Sequence, residues 1–495
     1  MRVPSKYQEA IYKTFRLSRR NISISAVAGS GKTTTLLELL KYIPTRSSSL
    51  FLAFNNSIVD ELKKRNERED VTIMTIHSCG WRTILQCYGG KIKMNPNKAM
   101  GKTEAAMKHF KIQANRYGYY FYNIPKVLDL MRCNLCENTE EAINELLDHY
   151  DINISNEDVK LVQYAFDLMN RDRTQFDFMD MIYVPVADPY VRLRVHKYDY
   201  IFCDESQDFS RAQQQFIKLC LNRRGRLVTV GDPRQAIYGF AGADAESYER
   251  LSNLDGEAIR LPLSVSYRCA KNIVLEAQKI VSAIKYDPDA PYGTVKQGSL
   301  TEIERGDWIV CRNLKPLVQT YLWLLKNKIK SKIKGKDIGE GILALIDKTG
   351  AKTLYELTDG LEYERDALLA KLESRGFRHP SLHPKMETLE QRVDVIECLM
   401  NEVVNVQQLK DMIENIFSDD VQGIMLSTIH KAKGLENETI FFLCPELIPS
   451  KFATQPWEFE QEENLRYVAI TRAKQKLVYV SIETFINDLA SKVTL

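Results

Sequence analysis

The chain has 495 residues, of which 44% are hydrophobic and 27% charged, enough for about three or four compact units. This is ordinary globular composition, and it excludes whole-chain disorder, collagen-like sequence and a small scaffold dependent on disulfides. The 68 Lys and Arg nearly balance 65 Asp and Glu, so net charge names no partner and only the distribution of charge can. No apolar run approaches the roughly 18 residues of a membrane span. The opening MRVPSKYQEAIYKTF has no apolar core of a secretory signal. Ten cysteines lack a repeating spacing. The one CxxC, Cys133 and Cys136, has no second pair or nearby His, so it reads as an inert thiol pair, with zinc or redox chemistry as the alternative.

In chain order, Ile22 to Val27 alternates and is β-rich, and Gly29, Ser30, Gly31, Lys32 and Thr33 follow before a helical TLLELL. A strand, a glycine loop and a helix N-terminus aim backbone N–H groups at one point and favour phosphate. Lys32 suits the β- and γ-phosphates, and the Thr33 hydroxyl suits Mg²⁺. Ala26 stands at the first glycine of the GxxxxGK[ST] pattern, a mild departure because a small residue still permits the turn. From Tyr88 to Lys126 there are eight Lys or Arg against one acid, interleaved with Tyr117, Tyr119, Tyr120, Phe121 and Tyr122. Basic residues among aromatics suit a single nucleic-acid strand, and a solvated basic face over an aromatic core is the alternative. From Val127 to Asn170 the sign reverses, with ten acids against two bases. The DxxD spacing in FDFMDMIYVP, 176–185, looks like the return from an insertion.

Tyr200 to Cys203 reads as an apolar strand ending in Asp204 and Glu205. There Asp204 can hold a Mg²⁺ shell, and Glu205 can orient or deprotonate an attacking water. Leu227 to Val230 reads as a buried strand before the Gly231–Gln235 turn, where the Gln235 amide could sense the γ-phosphate. Tyr238 and Phe240 follow. They suit a stacked base, although a core aromatic is an equal reading of Tyr238. Lys326, Lys328, Lys330, Lys332, Lys334 and Lys336 recur at period two. On a strand all six would face one way, either toward a duplex or as protection of a sheet edge. Residues 337–419 carry helical periodicity, with LEYERDALLAKLESRGF read as an amphipathic helix ending at Gly376. The segments Val71–His77 and Ile424–His430 both end in TIH and read as corresponding elements of two lobes.

Taken together, these segments resemble the superfamily 1 DNA helicases of the UvrD/Rep type, especially compact viral or F-box-helicase-like members. The motifs run in order from Gln8 through AVAGSGKT, LAFNNSIVDEL (52–62), TIHS (75–78), FDFMDMIYVP, DESQD, VGDPRQAIYGFAGA, SYR (266–268), IVCRN (309–313) and STIHKAKGLE (427–436) to ENLRYVAITRAKQKL (463–477). The resemblance implies an α/β fold of two RecA-like P-loop lobes, each with an inserted, mainly helical subdomain. On that reading 1–87 and 174–262 form the ATP-binding lobe, 88–173 its insertion, 263–336 and 420–495 the second lobe, and 337–419 the second insertion. It further implies ATP and Mg²⁺, with nucleotide contacts from Gln8 (adenine edge), Ala28, Gly29, Ser30, Gly31, Lys32, Thr33, Thr34, Tyr267 (adenine stacking) and Glu436 (ribose). Arg268 and Arg472 would be the arginine fingers. Phe54, Asn55, Thr75, His77, Tyr238, Phe240, Thr428 and His430 would line the path of single-stranded DNA, with a structural role the alternative for each histidine. Three departures stand out. Thr34 replaces a frequent Arg, Phe240 a common Trp, and Ala241 an Arg or other polar residue. The expected partners are single-stranded and duplex DNA, with no membrane, for a monomeric or weakly associating chain. It would sit in the cytoplasm, near the nucleoid or, if viral, within a host cell. The implied activity is 3′–5′ ATP-driven unwinding. A translocase that strips proteins from single strands, or an ATP-switched clamp or loader, stands as the alternative.

Overall fold

The computed structural model describes residues 3–490 except 54–55, 113–116, 151, 153, 155, 240–241, 245, 255, 374–379 and 418–422. Phe54, Asn55, Phe240, Ala241, Arg116 and Gly376 therefore lie outside the described residues. The chain divides into two compact units, Met1–Ser264 and Val265–Leu495.

In the first unit the strands are β1 (Ile22–Ala26), β2 (Ser49–Ala53), β3 (Val71–Thr75), β4 (Lys93–Met94), β5 (Gln175–Phe176), β6 (Tyr198–Cys203), β7 (Leu221–Gly231) and β8 (Ile259–Leu263). Six of them form one parallel sheet in the order β3-β2-β6-β7-β1-β8. Parallel strands must be covered on both faces, and the sequence supplies that alternation. Phe51 and Phe202 enter one core with Ile24, Leu36 and Val228. Their neighbours Leu50, Leu52, Ile201 and Cys203 enter the other with Phe216 and Leu227. The helices between β3 and β6 include Lys98–His109, Tyr117–Asn134, Glu140–His149 and Asn156–Arg171. These close over their own core, which includes Met107, Leu128, Met131, Val162 and Phe166. Two of the bases read as a nucleic-acid face are already paired. Lys98 is buried against Asp180 at 2.6 Å, and Lys102 meets Asp172 at 2.6 Å.

The second unit continues with β9 (Val265–Ser266), β10 (Lys285–Tyr286), β11 (Thr294–Gln297), β12 (Trp308–Cys311), β13 (Ser331–Ile333), β14 (Ile424–Thr428), β15 (Asn437–Leu443) and β16 (Ala473–Val480). Its parallel sheet runs β11-β16-β15-β12-β14-β13. The helices between β13 and β14 share most of their core with the sheet, while Leu368, Leu372 and Met386 form a small separate cluster with Phe452. Ile342, Leu357, Leu361 and Ile396 pack in the same cluster as Ile309, Leu426 and Phe441 of the sheet. The alternating lysines do not share a strand face. Lys326 ends the helix Leu314–Lys326, Lys328 turns the chain at φ +61°, only Lys332 lies within β13, and Lys336 opens the helix Lys336–Thr349. Period-two spacing was overridden because a helix end, a reversal and a three-residue edge strand fit within eleven residues. No helix among the described residues is long and apolar enough to cross a membrane.

Candidate nucleotide site

The loop after β1 is a compact cradle. Gly29 and Gly31 adopt φ +69° and +80°, left-handed values that residues with a Cβ avoid. The Ser30 hydroxyl donates to the Val27 carbonyl at 2.7 Å, and that of Thr35 donates to the Gly31 carbonyl at 2.9 Å. Ala28 is buried beneath the turn. The following helix begins at Lys32, so its unpaired N–H groups open onto the loop. Gln8 lies on the helix Lys6–Leu17, whose Ser5 and Gln8 form a capping box. Its amide nitrogen donates to Thr35 Oγ1 at 3.1 Å, which fixes this polar edge beside the loop.

The end of β6 delivers the carboxylates. Glu205 sits at φ +52°, an unusual backbone for a non-glycine residue, and that turn carries its side chain to Lys32 Nζ at 2.8 Å. Asp204 is buried and accepts from the Thr33 hydroxyl at 3.1 Å. Burial, with Glu205 repulsion second, pushes its carboxyl up. Asp232, after β7, is also pushed up by burial, to about 6. Lys32 feels the opposite balance. Burial pulls it down, but Glu205, Asp204 and Asp232 outweigh that, and its pKa rises. One ammonium is thus held among three carboxylates. The Thr33 and Asp204 oxygens are hard donors that suit Mg²⁺, an ion that keeps several waters and takes few protein ligands.

Gln235, expected as a phosphate sensor, is buried and donates its amide to Asp232 Oδ2 at 2.6 Å. Sequence reasoning missed Gln207. It donates to Glu205 Oε2 at 2.6 Å and accepts from the Asp232 backbone at 2.9 Å, tying the two strand ends together. Gly231 permits that approach, because a Cβ there would lie 2.5 Å from Ser206 Oγ. Arg65 was missed as well. Its Nη2 donates to Thr34 Oγ1 at 3.0 Å, and Glu61 holds its Nη1 at 2.8 Å. A guanidinium therefore stands beside the residue where the resemblance had lost one. Only the spacing of 31 residues hid it.

Within the second unit the expected nucleotide residues gather. Arg268 pairs with Glu436, and its Nη1 donates to the Thr471 carbonyl at 3.3 Å. Lys474 holds the other Glu436 oxygen at 3.2 Å. Burial opposes the Glu436 charge, but these two cations outweigh it, and its pKa falls. Arg472 is 1% exposed and donates to the Val468 and Leu435 carbonyls at 3.0 and 2.9 Å. Burial, then repulsion from Arg268, pulls it to about 9, so it stays charged at neutrality. Tyr267 is half-buried beside Arg268.

The two TIH segments have the same local form. Thr75 ends β3 and caps the helix Ile76–Tyr88 by accepting from Ser78 N at 3.2 Å. Thr428 ends β14 and caps Ile429–Ala432 by accepting from Lys431 N at 3.4 Å. His77 stacks on Phe178 with ring centroids 3.9 Å apart, and burial lowers its pKa to about 4. Burial, with Arg312 and Lys433 repulsion, lowers His430 to about 3. Both shifts favour the neutral imidazole, which can still donate or accept a hydrogen bond. Tyr238 is half-buried after the Pro233–Gln235 turn. Cys133 is buried, and burial pushes its thiol up to about 12. Among the described residues no cluster of His, Cys, Asp and Glu could hold a metal ion with three or more side chains.

Comparison with known proteins adds two family matches. Residues 7–254 match the UvrD/REP helicase N-terminal domain, and residues 352–484 match the UvrD-like helicase C-terminal domain. F-box DNA helicase 1 of Gallus gallus is 24% identical across 92% of this chain and 47% of its own length. A probable DNA helicase of Mycoplasma pneumoniae is 25% identical across 92% of this chain and 80% of its own. The ATP-dependent DNA helicase PcrA of Staphylococcus epidermidis is 26% identical across 56% and 39%. The chain thus spans under half the length of two of these relatives.

Proposed function

The chain belongs to the UvrD/REP helicase family, and from that membership and the geometry of its phosphate loop we propose that it is an ATP-driven motor that moves along single-stranded DNA and separates duplex ahead of it. The carrying observation is the Lys32–Glu205 pair set beside Thr33 and Asp204 at the mouth of a helix N-terminus. A phosphate tail entering the loop meets the backbone N–H groups and Lys32, which exchanges its carboxylate partner for phosphoryl oxygens. Thr33 and Asp204 would hold Mg²⁺, which supplies charge neutralisation at the phosphates. Released from Lys32, Glu205 orients the attacking water and takes its proton, while Gln207 keeps that carboxylate aimed. Arg268 and Arg472 are the proposed cations for charge on the transferring phosphoryl group, with Gln235 reporting the terminal phosphate. Gln8 and Tyr267 read and stack the base, Glu436 meets the ribose, and Arg65 covers the side left open by Thr34.

The Arg65 role predicts a particular split. Arg65→Ala should raise the KM for ATP about tenfold, the cost of one charge-assisted hydrogen bond, with kcat little changed. Steady-state turnover at saturating DNA measures it.

The family direction is 3′ to 5′. Unwinding of paired substrates with opposite overhangs, in DNA and RNA versions, tests polarity and substrate together. Faster unwinding from a 5′ overhang, or equal use of RNA, contradicts the reading. One observation favours a translocase that strips proteins with little unwinding. The helix Leu354–Glu373 exposes Asp359, Glu362, Asp366 and Glu373 at helical spacing on one side, a face that repels duplex phosphates. Displacement of streptavidin from biotinylated strands, compared with unwinding, separates the two readings.

A further inference from the structure

A basic hollow lies at the far end of the second sheet from the TIH turn. The helix Leu314–Lys326 ends against Asn327, and Lys328 reverses the chain at φ +61°. The backbone N–H groups of Lys328 and Ile329 donate to the Leu325 and Leu324 carbonyls at 2.9 Å each and lock the reversal. The chain then enters β13, the last strand of its sheet, whose outer side meets only an isolated bridge from Ile333 to Phe417 among the described residues. Between the last turns of the helix and this edge is a cavity of about 490 Å³, lined by Tyr321, Leu325 and the run Lys328–Lys332.

Its lining contains three lysines and no acid. Lys332 already donates to the Asn415 carbonyl. Lys328 and Lys330 are exposed and make no ion pair among the described residues. Lys326, one residue before the turn, pairs instead with Glu402 at 2.6 Å. Ser331 is 8% exposed, and its hydroxyl has no hydrogen-bond partner. A buried hydroxyl without a partner costs free energy unless a ligand or water satisfies it. Two unneutralised ammonium groups and that hydroxyl belong to residues lining one hollow, a donor set that suits a tetrahedral oxyanion.

We propose that this hollow is a phosphate-binding site separate from the nucleotide loop, with Lys328 and Lys330 neutralising the anion and Ser331 donating to it. The phosphate could belong to a nucleic-acid strand or to a free phosphorylated ligand, and the two sources are separable. Inorganic pyrophosphate is titrated calorimetrically into the full chain, and the salt dependence of DNA affinity is measured in parallel. Wild type should take up pyrophosphate at two sites and the Lys328→Ala/Lys330→Ala variant at one, with an unchanged melting temperature. Ser331→Ala should weaken the second site about tenfold. A strand phosphate is indicated if the double variant also lowers the slope of log K against log salt, by about 1.8 on duplex or about 1.4 on a single strand, and a free ligand if the slope holds. Unchanged stoichiometry and slope overturn the proposal. So does a silent Ser331→Ala beside an effect of the lysines, which is the behaviour of a diffuse charged surface.

Discussion

Replacing Lys32 by alanine is expected to lower DNA-stimulated ATP turnover by roughly 10²–10³-fold, the scale of losing one electrostatic stabiliser from an enclosed site. The same change has a second consequence that a loop lysine acting only on substrate would not show. Lys32 sits among Glu205, Asp204 and Asp232, of which the two aspartates are almost fully buried. Removing the cation leaves their carboxylates facing one another, a loss on the order of 3 kcal/mol at neutral pH. The sign with pH follows from the upward shifts of Asp204 and Asp232. A carboxyl with a raised folded pKa favours folding fully below its unfolded value, near 3.8, and that contribution is lost as pH rises through its folded value, about 6 for Asp232. Without Lys32 both should move further up. The gap in melting temperature between wild type and Lys32→Ala should therefore be widest near pH 8 and narrow toward pH 5. A gap that is constant with pH would show that Lys32 does not neutralise these acids. Turnover that survives the substitution would remove the loop from catalysis.

The glycine loop between β1 and the helix at Lys32 was legible because its signal is local. Strand, glycines, lysine and helix lie within twelve residues, and the apolar run ending in Asp204 and Glu205 is equally self-contained. What sequence reasoning missed is set by partners far along the chain. Arg65 reaches Thr34 across 31 residues. Lys98 and Lys102 counted as free charge until Asp180 and Asp172, 82 and 70 residues later, claimed them. The lysines from 326 to 336 showed a β period that the helix end at Lys326 cancels. Arg472 stood in a recognisable motif, yet nothing in TRA says that its guanidinium lies against the carbonyls of Val468 and Leu435. Local pattern fixes backbone form, whereas the state of a charged side chain depends on what the fold brings to it.

The same logic makes the acids of FDFMDMIYVP a sensitive structural point in the first unit. Arg132, 1% exposed, donates through Nη1 to Asp177 Oδ1 at 2.6 Å and Asp180 Oδ1 at 3.0 Å, and through Nη2 to Asp129 at 2.5 Å. Lys98, equally buried, takes the second Asp180 oxygen and lies 5.3 Å from the Phe176 ring centroid. Asp177 and Asp180 also cap each other, each accepting from the other's backbone N–H at 2.9–3.1 Å. The bases and Asp129 come from the inserted helices, whereas Asp177 and Asp180 come from the segment that returns to the sheet. Burial pulls the Arg132 charge down, but its carboxylates outweigh that and raise its pKa. Arg132→Met is expected to cost about 3–5 kcal/mol, because it strands Asp177 without its guanidinium and leaves Asp180 with Lys98 alone. For a unit of this size that is a fall in melting temperature of roughly 10 °C. Arg132→Met combined with Asp177→Asn should recover part of the loss, since the pair is removed together and the remaining Asp180 charge still has Lys98. A double variant as unstable as the sum of the two single variants would mean that the guanidinium and Asp177 are not coupled, and that packing around the Arg132 stem, not charge, holds the insertion to its lobe.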